Sequence, residues 1–185
     1  MNMNEGNVKK VLTPLTREKV NSLKVGDFVY LSGVVYSARD LAHKALIDLI
    51  SEGKELPIDI AGQVIFYLGP CPPRPGFASN SAGPTTSARM DAFTPPLIEH
   101  GLRGMIGKGE RSKEVIDAMV KFGAVYFSAT GGVAALLSKS IVSIEPVALK
   151  ELGPDAIYRL ELDRMPMIVA IDSEGRSLYR NIKNS

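Results

Sequence analysis

The sequence predicts a mixed α/β fold in which a central mixed sheet is flanked by helices. Three features carry that expectation. Short runs rich in valine, isoleucine and tyrosine alternate with stretches whose apolar residues recur at helical spacing, the pattern of a sheet covered by helices. Glycine and proline punctuate the boundaries. No internal repeat or low-complexity linker divides the chain, and its 185 residues are the length of one ordinary domain, expected over 1–185.

Val8 to Leu12 is a short apolar run, after which Thr16 is a candidate N-cap for a brief helix reaching Leu23. Gly26 and Asp27 turn the chain into Phe28 to Tyr36, whose valines and tyrosines suit a largely buried strand. Leu41, Ala42, Ala45, Leu46, Leu49 and Ile50 follow a helical period, with Asp40 in the first turn and Gly53 as a C-terminal cap. Gln63 to Leu68 reads as a strand running into Gly69 to Gly76, whose prolines permit neither a helix nor a central strand and so make a long surface loop. Pro84 to Met90 begins with residues favoured at helix starts, which predicts exposed backbone amides near Thr85, and Pro95-Pro96 opens a short helix ending near Gly101. Arg103 to Ile106 is a short strand, Gly107 to Gly109 a turn, Ser112 to Phe122 a helix stopped by Gly123, and Ala124 to Ser128 another strand. Thr130-Gly131-Gly132 leads into a short helix from Val133 to Lys139. Three strand runs follow, Ile141 to Val147, Ile157 to Leu162 and Met167 to Ile171, and Asp172 to Gly175 makes a hairpin turn into Ser177 to Tyr179.

Composition excludes several function classes. A hydrophobic content of 45% with 23% charged residues describes a globular chain. A net charge of only +2, with the basic residues scattered, offers no footprint for nucleic acid or a membrane surface. The polar stretch Met1 to Lys10 lacks the apolar core of a signal peptide, and no apolar run is long enough to span a bilayer, so the expectation is a cytoplasmic protein. Cys71 is the lone cysteine, with His43 and His100 the only histidines. They make neither a disulfide nor a zinc-type ligand set, so any metal chemistry takes its ligands from another chain.

Three cationic residues lie at element boundaries: Arg39 between strand and helix, Arg89 near a helix start and Lys108 between two glycines. The guanidinium fork suits bidentate recognition of carboxylate, and a lysine between glycines can approach a ligand closely. Together they suggest a site for a small dianion; the competing reading is that each caps a helix or meets a surface carboxylate. Thr85, Thr86 and Ser87 offer hydroxyls and amides for helix capping or for an anion. Gly107-Lys108-Gly109 is not a phosphate-binding P-loop, because Leu102 stands where its first glycine would be and Gly109 where its Ser or Thr would be. Thr130-Gly131-Gly132 could hold an anion or serve close packing. His43, four residues after Arg39, reads as a solvated or core-edge histidine and Asp40 as a partner of the helix dipole.

Gly83-Pro84-Thr85-Thr86-Ser87-Ala88-Arg89-Met90-Asp91 resembles the most recognisable segment of the iron-sulfur hydro-lyases of the class I fumarase and L-tartrate dehydratase family. In the family's order come also Gly26-Asp27, Ala38-Arg39-Asp40-Leu41-Ala42-His43, Gly69-Pro70, Gly107-Lys108-Gly109, Gly131-Gly132 and Glu151 to Ile157, so the likeness spans nearly the whole chain. It implies the β-type region of that family, a swivelling β/β/α domain with a barrel-like core, working with a separate α subunit in a heterotetramer. The α subunit's cysteines would ligate a [4Fe-4S] cluster; one cysteine agrees with that division, since a cluster needs several thiolates. The reaction implied is the reversible hydration of fumarate to L-malate, with the cluster's open iron acting as a Lewis acid. By the family's pattern Arg39, Arg89 and Lys108 bind the substrate carboxylates and Thr85 takes the C3 proton, a role for which an aliphatic hydroxyl needs cationic neighbours. Arg89-Met90-Asp91 and Lys108 to Ser112 resemble the fumarase branch. The alternatives are an L(+)-tartrate dehydratase β subunit and a non-catalytic dicarboxylate-binding module. The loop from Cys71 to Gly76 matches no feature of the family.

Overall fold

The computed structural model describes residues 8–69, 84–129 and 134–179, with the backbone alone for 134–136. Strand β2 (Phe28–Ser37) organises it. On one side β2 pairs in parallel with β1 (Lys9–Leu12) near its start and with β3 (Val64–Phe66) at its end. The parallel order continues through β4 (Gly104–Gly107) and β5 (Val125–Ala129). Strand β7 (Ile157–Ile171) runs antiparallel to both β5 and β2, so β2, β3, β4, β5 and β7 close into a mixed barrel. Strand β6 (Ile141–Ala148) lies antiparallel on β7 outside that ring. The expected mixed α/β architecture with a barrel-like core is therefore what the chain adopts.

The period of two along the strands decides which residues fill the barrel. In β3, Val64 and Phe66 join a cluster made of strand residues from around the barrel, including Leu31, Val35, Ile106, Phe127 and Leu160. Ile65 and the following Tyr67 face the other way, into a second cluster with the helices. Both faces of β3 are thus buried, which is why the short run has no polar alternation. The second cluster takes Ala42 and Leu46 from α2 (Asp40–Ser51), Leu97 and Ile98 from α3 (Thr94–Glu99), and Val115, Ile116 and Met119 from α4 (Lys113–Phe122). Each fully buried aliphatic side chain of this kind contributes roughly 1.5–3 kcal/mol, which fixes these helices on the barrel's outer face.

The helix ends follow the sequence closely. Thr16 Oγ1 accepts the Lys19 amide to start α1 (Arg17–Ser22), Ser112 Oγ accepts the Val115 amide to start α4, and Gly123 stops it at a φ of +78°. Prolines open α3. The short helix after the glycines is α5 (Ala134–Lys139).

Two expectations need correction. The runs from Ile157 to Leu162 and Met167 to Ile171 are one strand. Gly33 pairs with Leu162 and Leu31 with Met165, so residues 163 and 164 stand opposite Ser32 alone. Arg164 takes a φ of +48°, and its amide donates to Ser32 Oγ at 2.9 Å. This is a β-bulge, which absorbs the polar pair that looked like a break and bends the strand so that it can close the ring. After the turn at Asp172–Gly175 the chain makes one antiparallel bridge, Ile171 with Ser177, in place of a strand. The structure also contains a 3-10 helix, Lys150–Asp155, that periodicity did not indicate.

His43 is fully buried on α2, and its Nδ1–H donates to the Arg39 carbonyl at 2.9 Å while Nε2 has no hydrogen-bond partner among the described residues. Burial lowers its pKa from 6.5 to about 4, against the smaller opposing effect of the Arg39 carbonyl. His43 therefore lies deeper than the solvated or core-edge position expected of it, inside the core with its ring against Tyr67 and Phe93. Unfolding restores the ordinary value, so stability from this group is complete above pH 6.5 and is lost as pH falls from there to about 4. The slope is at most about 1.4 kcal/mol per pH unit. Urea denaturation across that window should show the decline, and His43→Leu should flatten it; an unchanged slope in the variant would assign the acid sensitivity elsewhere.

Candidate active site

Parallel strands end at the same side of a sheet, and in open or closed α/β folds ligand sites form beyond their carboxyl ends. Arg39 lies just past β2, Tyr67 to Gly69 just past β3, and Lys108 just past β4. Across these ends lies the segment from Pro84. The Thr85 amide donates to the Tyr67 carbonyl at 2.8 Å, the Ser87 amide donates to the Lys108 carbonyl at 2.9 Å, and Thr86 forms an isolated parallel bridge with Lys108. The amides near Thr85 expected to be exposed are thus taken up by the strand ends. A 3-10 helix, Ser87–Met90, follows, and Thr86 at its start makes no side-chain cap.

A closed run of hydrogen bonds holds the two segments in register. The Lys108 amide donates to Ser87 Oγ at 2.9 Å, Ser87 Oγ pairs with Tyr126 Oη at 2.9 Å, and Tyr126 Oη donates to the Gly109 carbonyl at 3.0 Å. Because a carbonyl only accepts, the Tyr126 proton points to Gly109 and Ser87 donates to Tyr126. Burial pushes the Tyr126 phenol well above its ordinary pKa, which keeps that proton in place. The approach is close: a Cβ on Gly107 would stand 1.8 Å from Ser87 Oγ.

Beneath this lies Arg111, which the sequence reading did not single out. Its side chain is fully buried. Nε donates to Asp91 Oδ1 at 2.7 Å, one terminal nitrogen to Tyr67 Oη at 3.1 Å and the other to Thr94 Oγ1 at 2.8 Å. The guanidinium also lies 5.2 Å from the ring centres of both Tyr67 and Tyr126. Asp91 Oδ2 accepts the Ser112 amide at 2.7 Å, so the pair ties the end of the 3-10 helix to the start of α4. Burial works against the charged guanidinium, but Tyr67 and Asp91 outweigh it and raise its pKa. The only sequence signal for this role was the acidic Asp91 with tyrosines on two strands, which has no fixed spacing to read.

The four expected site residues occupy one end of the barrel in different states. Arg89 is half exposed and makes two aligned bonds to Asp40, Nε to Oδ1 at 3.0 Å and NH2 to Oδ2 at 2.7 Å. Arg39 Nε lies 3.0 Å from Asp155 Oδ1, delivered by the 3-10 helix before β7, but the two atoms are misaligned for a hydrogen bond. The Arg39 guanidinium packs so tightly over Gly69 that a Cβ there would stand 2.4 Å from NH1. For both arginines, then, the ion pair with a carboxylate is present. Lys108 is exposed and its ammonium has no partner among the described residues. The Thr85 hydroxyl, half-buried, likewise has no hydrogen-bond partner among them. Cys71 and Thr130 to Gly132 lie outside the described residues, and those described include no group of His, Cys, Asp and Glu that could hold a metal.

Residues 2–182 match the family described as fumarase C-terminus. The chain belongs to this fumarase C-terminal family. Among relatives in which that similarity runs the length of the chain, a Methanocaldococcus jannaschii protein with the provisional name L(+)-tartrate dehydratase subunit beta is 40% identical over 174 residues, 91% of this chain and 89% of its own length. The anaerobic class I fumarate hydratase of Escherichia coli is 38% identical over 179 residues, 96% of this chain but 32% of the relative. Fumarate hydratase 2 of Leishmania major is 36% identical over 165 residues, covering 88% and 29%. This member of the fumarase C-terminal family therefore spans about a third of each fumarate hydratase and nearly all of the tartrate dehydratase subunit.

The fit at Gly107 leaves no room for a side chain. Gly107→Ala should cost on the order of 1–3 kcal/mol through overpacking against Ser87, read as a lower urea midpoint. Ser87→Ala in the same background should recover part of the loss, because the atom met by the new Cβ is the Ser87 hydroxyl.

Proposed function

We propose that the chain is the β subunit of a cytoplasmic, iron-sulfur-dependent hydro-lyase that reversibly hydrates fumarate to L-malate. The observation that carries this reading is that Thr85, Arg89, Lys108 and Arg39 sit beyond the carboxyl ends of adjacent parallel strands in a chain of the fumarase C-terminal family. The chain's single cysteine does not fit a four-iron cluster, which needs several thiolates. The [4Fe-4S] group belongs to a partner α subunit in a heterotetramer, where it supplies a Lewis acid for the substrate hydroxyl.

The work of this chain is electrostatic and positional. Arg39 and Arg89 grip the substrate carboxylates through their guanidinium forks, and the Lys108 ammonium adds a point charge. In the dehydrating direction the ionised Thr85 Oγ takes the proton from C3 of malate, the C3–H electrons form the C2–C3 double bond, and the C2–O bond breaks with its electron pair leaving as hydroxide, so that this hydroxide and the proton on Thr85 together account for the water released. Hydration reverses each transfer. Negative charge develops on the carboxylate beside C3 as the proton leaves, and fixed cations stabilise that charge more than the ground state. The same cations favour the ionised form of the Thr85 hydroxyl that the transfer needs.

A second reading has its own support. The relative whose length this chain nearly matches is named for L(+)-tartrate. Tartrate is also a four-carbon dicarboxylate with a hydroxyl beside each carboxylate, so the same clamp serves it.

Anaerobic co-expression with a three-cysteine partner should give a brown, oxygen-sensitive complex that hydrates fumarate, and assaying L(+)-tartrate dehydration in the same preparation decides the substrate. Arg89→Ala should abolish turnover while leaving assembly intact. An isolated chain that binds dicarboxylates tightly and gains no activity with any such partner would instead make it a non-catalytic binding module.

A further inference from the structure

Asp40 follows Arg39 directly and occupies the first turn of α2, where the helix dipole favours a carboxylate. That placement alone would explain an acidic residue. Both of its oxygens, however, are committed across the site to Arg89, 49 residues away in sequence. The bonds use a particular edge of the guanidinium: Nε and the adjacent hydrogen of NH2. NH1 and the outer hydrogen of NH2 remain, and they form the end-on fork that takes a second carboxylate bidentately.

We infer that Asp40 is the positioning residue for Arg89, holding the guanidinium by its Nε edge so that its NH1/NH2 end is presented to a substrate carboxylate. The inference rests on the hydro-lyase reading and extends it to a residue that touches no substrate. Two comparisons support it. The side chains of Arg89 and Asp40 are 54% and 29% exposed, and ion pairs this open contribute little to stability; two well-aligned bonds at such a place orient more than they stabilise. Arg39, by contrast, meets Asp155 through one misaligned contact and is confined instead by packing over Gly69. Of the two forks, Arg89 is the one fixed by directional bonds. Ordering a long side chain before the ligand arrives removes that entropic cost from binding.

The opposite reading is that Asp40 stands where a substrate carboxylate would, and must be displaced. The two readings predict opposite signs. In the complex with the cluster-bearing subunit, succinate, a four-carbon dicarboxylate that cannot lose water, is titrated calorimetrically into wild type, Asp40→Ala, Asp40→Asn, Asp40→Glu, Arg89→Ala and the Asp40→Ala/Arg89→Ala double variant. Loss of a bidentate charged pair should weaken succinate by about tenfold in Asp40→Ala and less in Asp40→Asn, with Asp40→Glu recovering most of the affinity. KM for fumarate should rise more than kcat falls. The double variant should bind succinate no more weakly than Arg89→Ala, because Asp40 acts only through that residue.

Tighter succinate binding in Asp40→Ala would make Asp40 a competitor of the substrate and overturn the inference. Unchanged binding would also overturn it, as would a loss that adds to that of Arg89→Ala. A melting temperature lowered by more than a few degrees in both Asp40→Ala and Asp40→Asn would make the pair structural and overturn the inference as well. A wild-type complex that neither binds succinate nor turns over fumarate or tartrate would remove the hydro-lyase reading itself, a result distinct from all of these.

Discussion

Strand β7 hydrogen-bonds along both β2 and β5, and the rest of the structure depends on that double pairing. Without it, β2 to β5 would be an open parallel sheet with two edges and one unburied face. With it, the sheet curls, the interior fills with side chains from every strand, and the carboxyl ends of β2, β3 and β4 are gathered round one rim. Closure needs β7 to serve two neighbours over 15 residues, and the bulge at residues 163 and 164 supplies the bend. A strand that broke there, as its polar residues suggest, would leave the ring open and the candidate site residues on a flat edge.

The rim is held by a second set of constraints. The segment bearing Thr85 and Arg89 has little apolar surface of its own, apart from the buried Met90, and is fastened mostly by polar groups: backbone bonds to Tyr67 and Lys108, the Ser87 to Tyr126 hydrogen bond, and the Arg111 to Asp91 pair. Buried polar networks are costly when any member is missing. Here Arg111 spends donors on Asp91, Tyr67 and Thr94, and two aromatic faces cover it. A site fastened this way has one arrangement of its hydroxyls and amides, because a shift of the segment would strand a charge in the core. Precision at the rim therefore comes from chemistry in the layer below it.

Much of this was legible in the sequence, and the reason is local. Thr16, Ser112 and Gly123 announce helix ends through the geometry they themselves adopt, and the apolar run of β3 announces burial on both faces, whereas β2 buries Val29, Leu31 and Val35 and leaves Phe28 exposed. What escaped is non-local. The continuity of β7 depends on Ser32, far away in sequence, receiving the Arg164 amide. Asp155 reaches Arg39 from a 3-10 helix that contains Gly153 and Pro154 and has no buried face to give it a period. Asp40 looked sufficient as a partner of its own helix dipole, and only the fold brings Arg89 to it. The candidate cations were found because they sit at boundaries; their carboxylate partners were hidden because each lies on a different element.

Those partners alter the electrostatics of the rim. Arg39, Arg89 and Lys108 bring three positive charges, but Asp155 and Asp40 each sit against one of the arginines, so the cluster carries one net positive charge, on the ammonium of Lys108. A dicarboxylate carries two negative charges and loses its hydration on entering a closed site. One net charge does not balance two. The guanidinium forks still give direction and hydrogen bonds, since a paired arginine keeps the donors on its free edge; on the hydro-lyase reading proposed above, positive potential beyond these three described cations would complete the balance. On the proposed reading these cations would orient a dianion without neutralising it, which fits a region that spans about a third of the longer fumarate hydratases. On the proposed reading, the carboxylates that steady the arginines would also make these residues a weak trap for dicarboxylates by themselves, so that substrate would settle only where the rest of the site is in place.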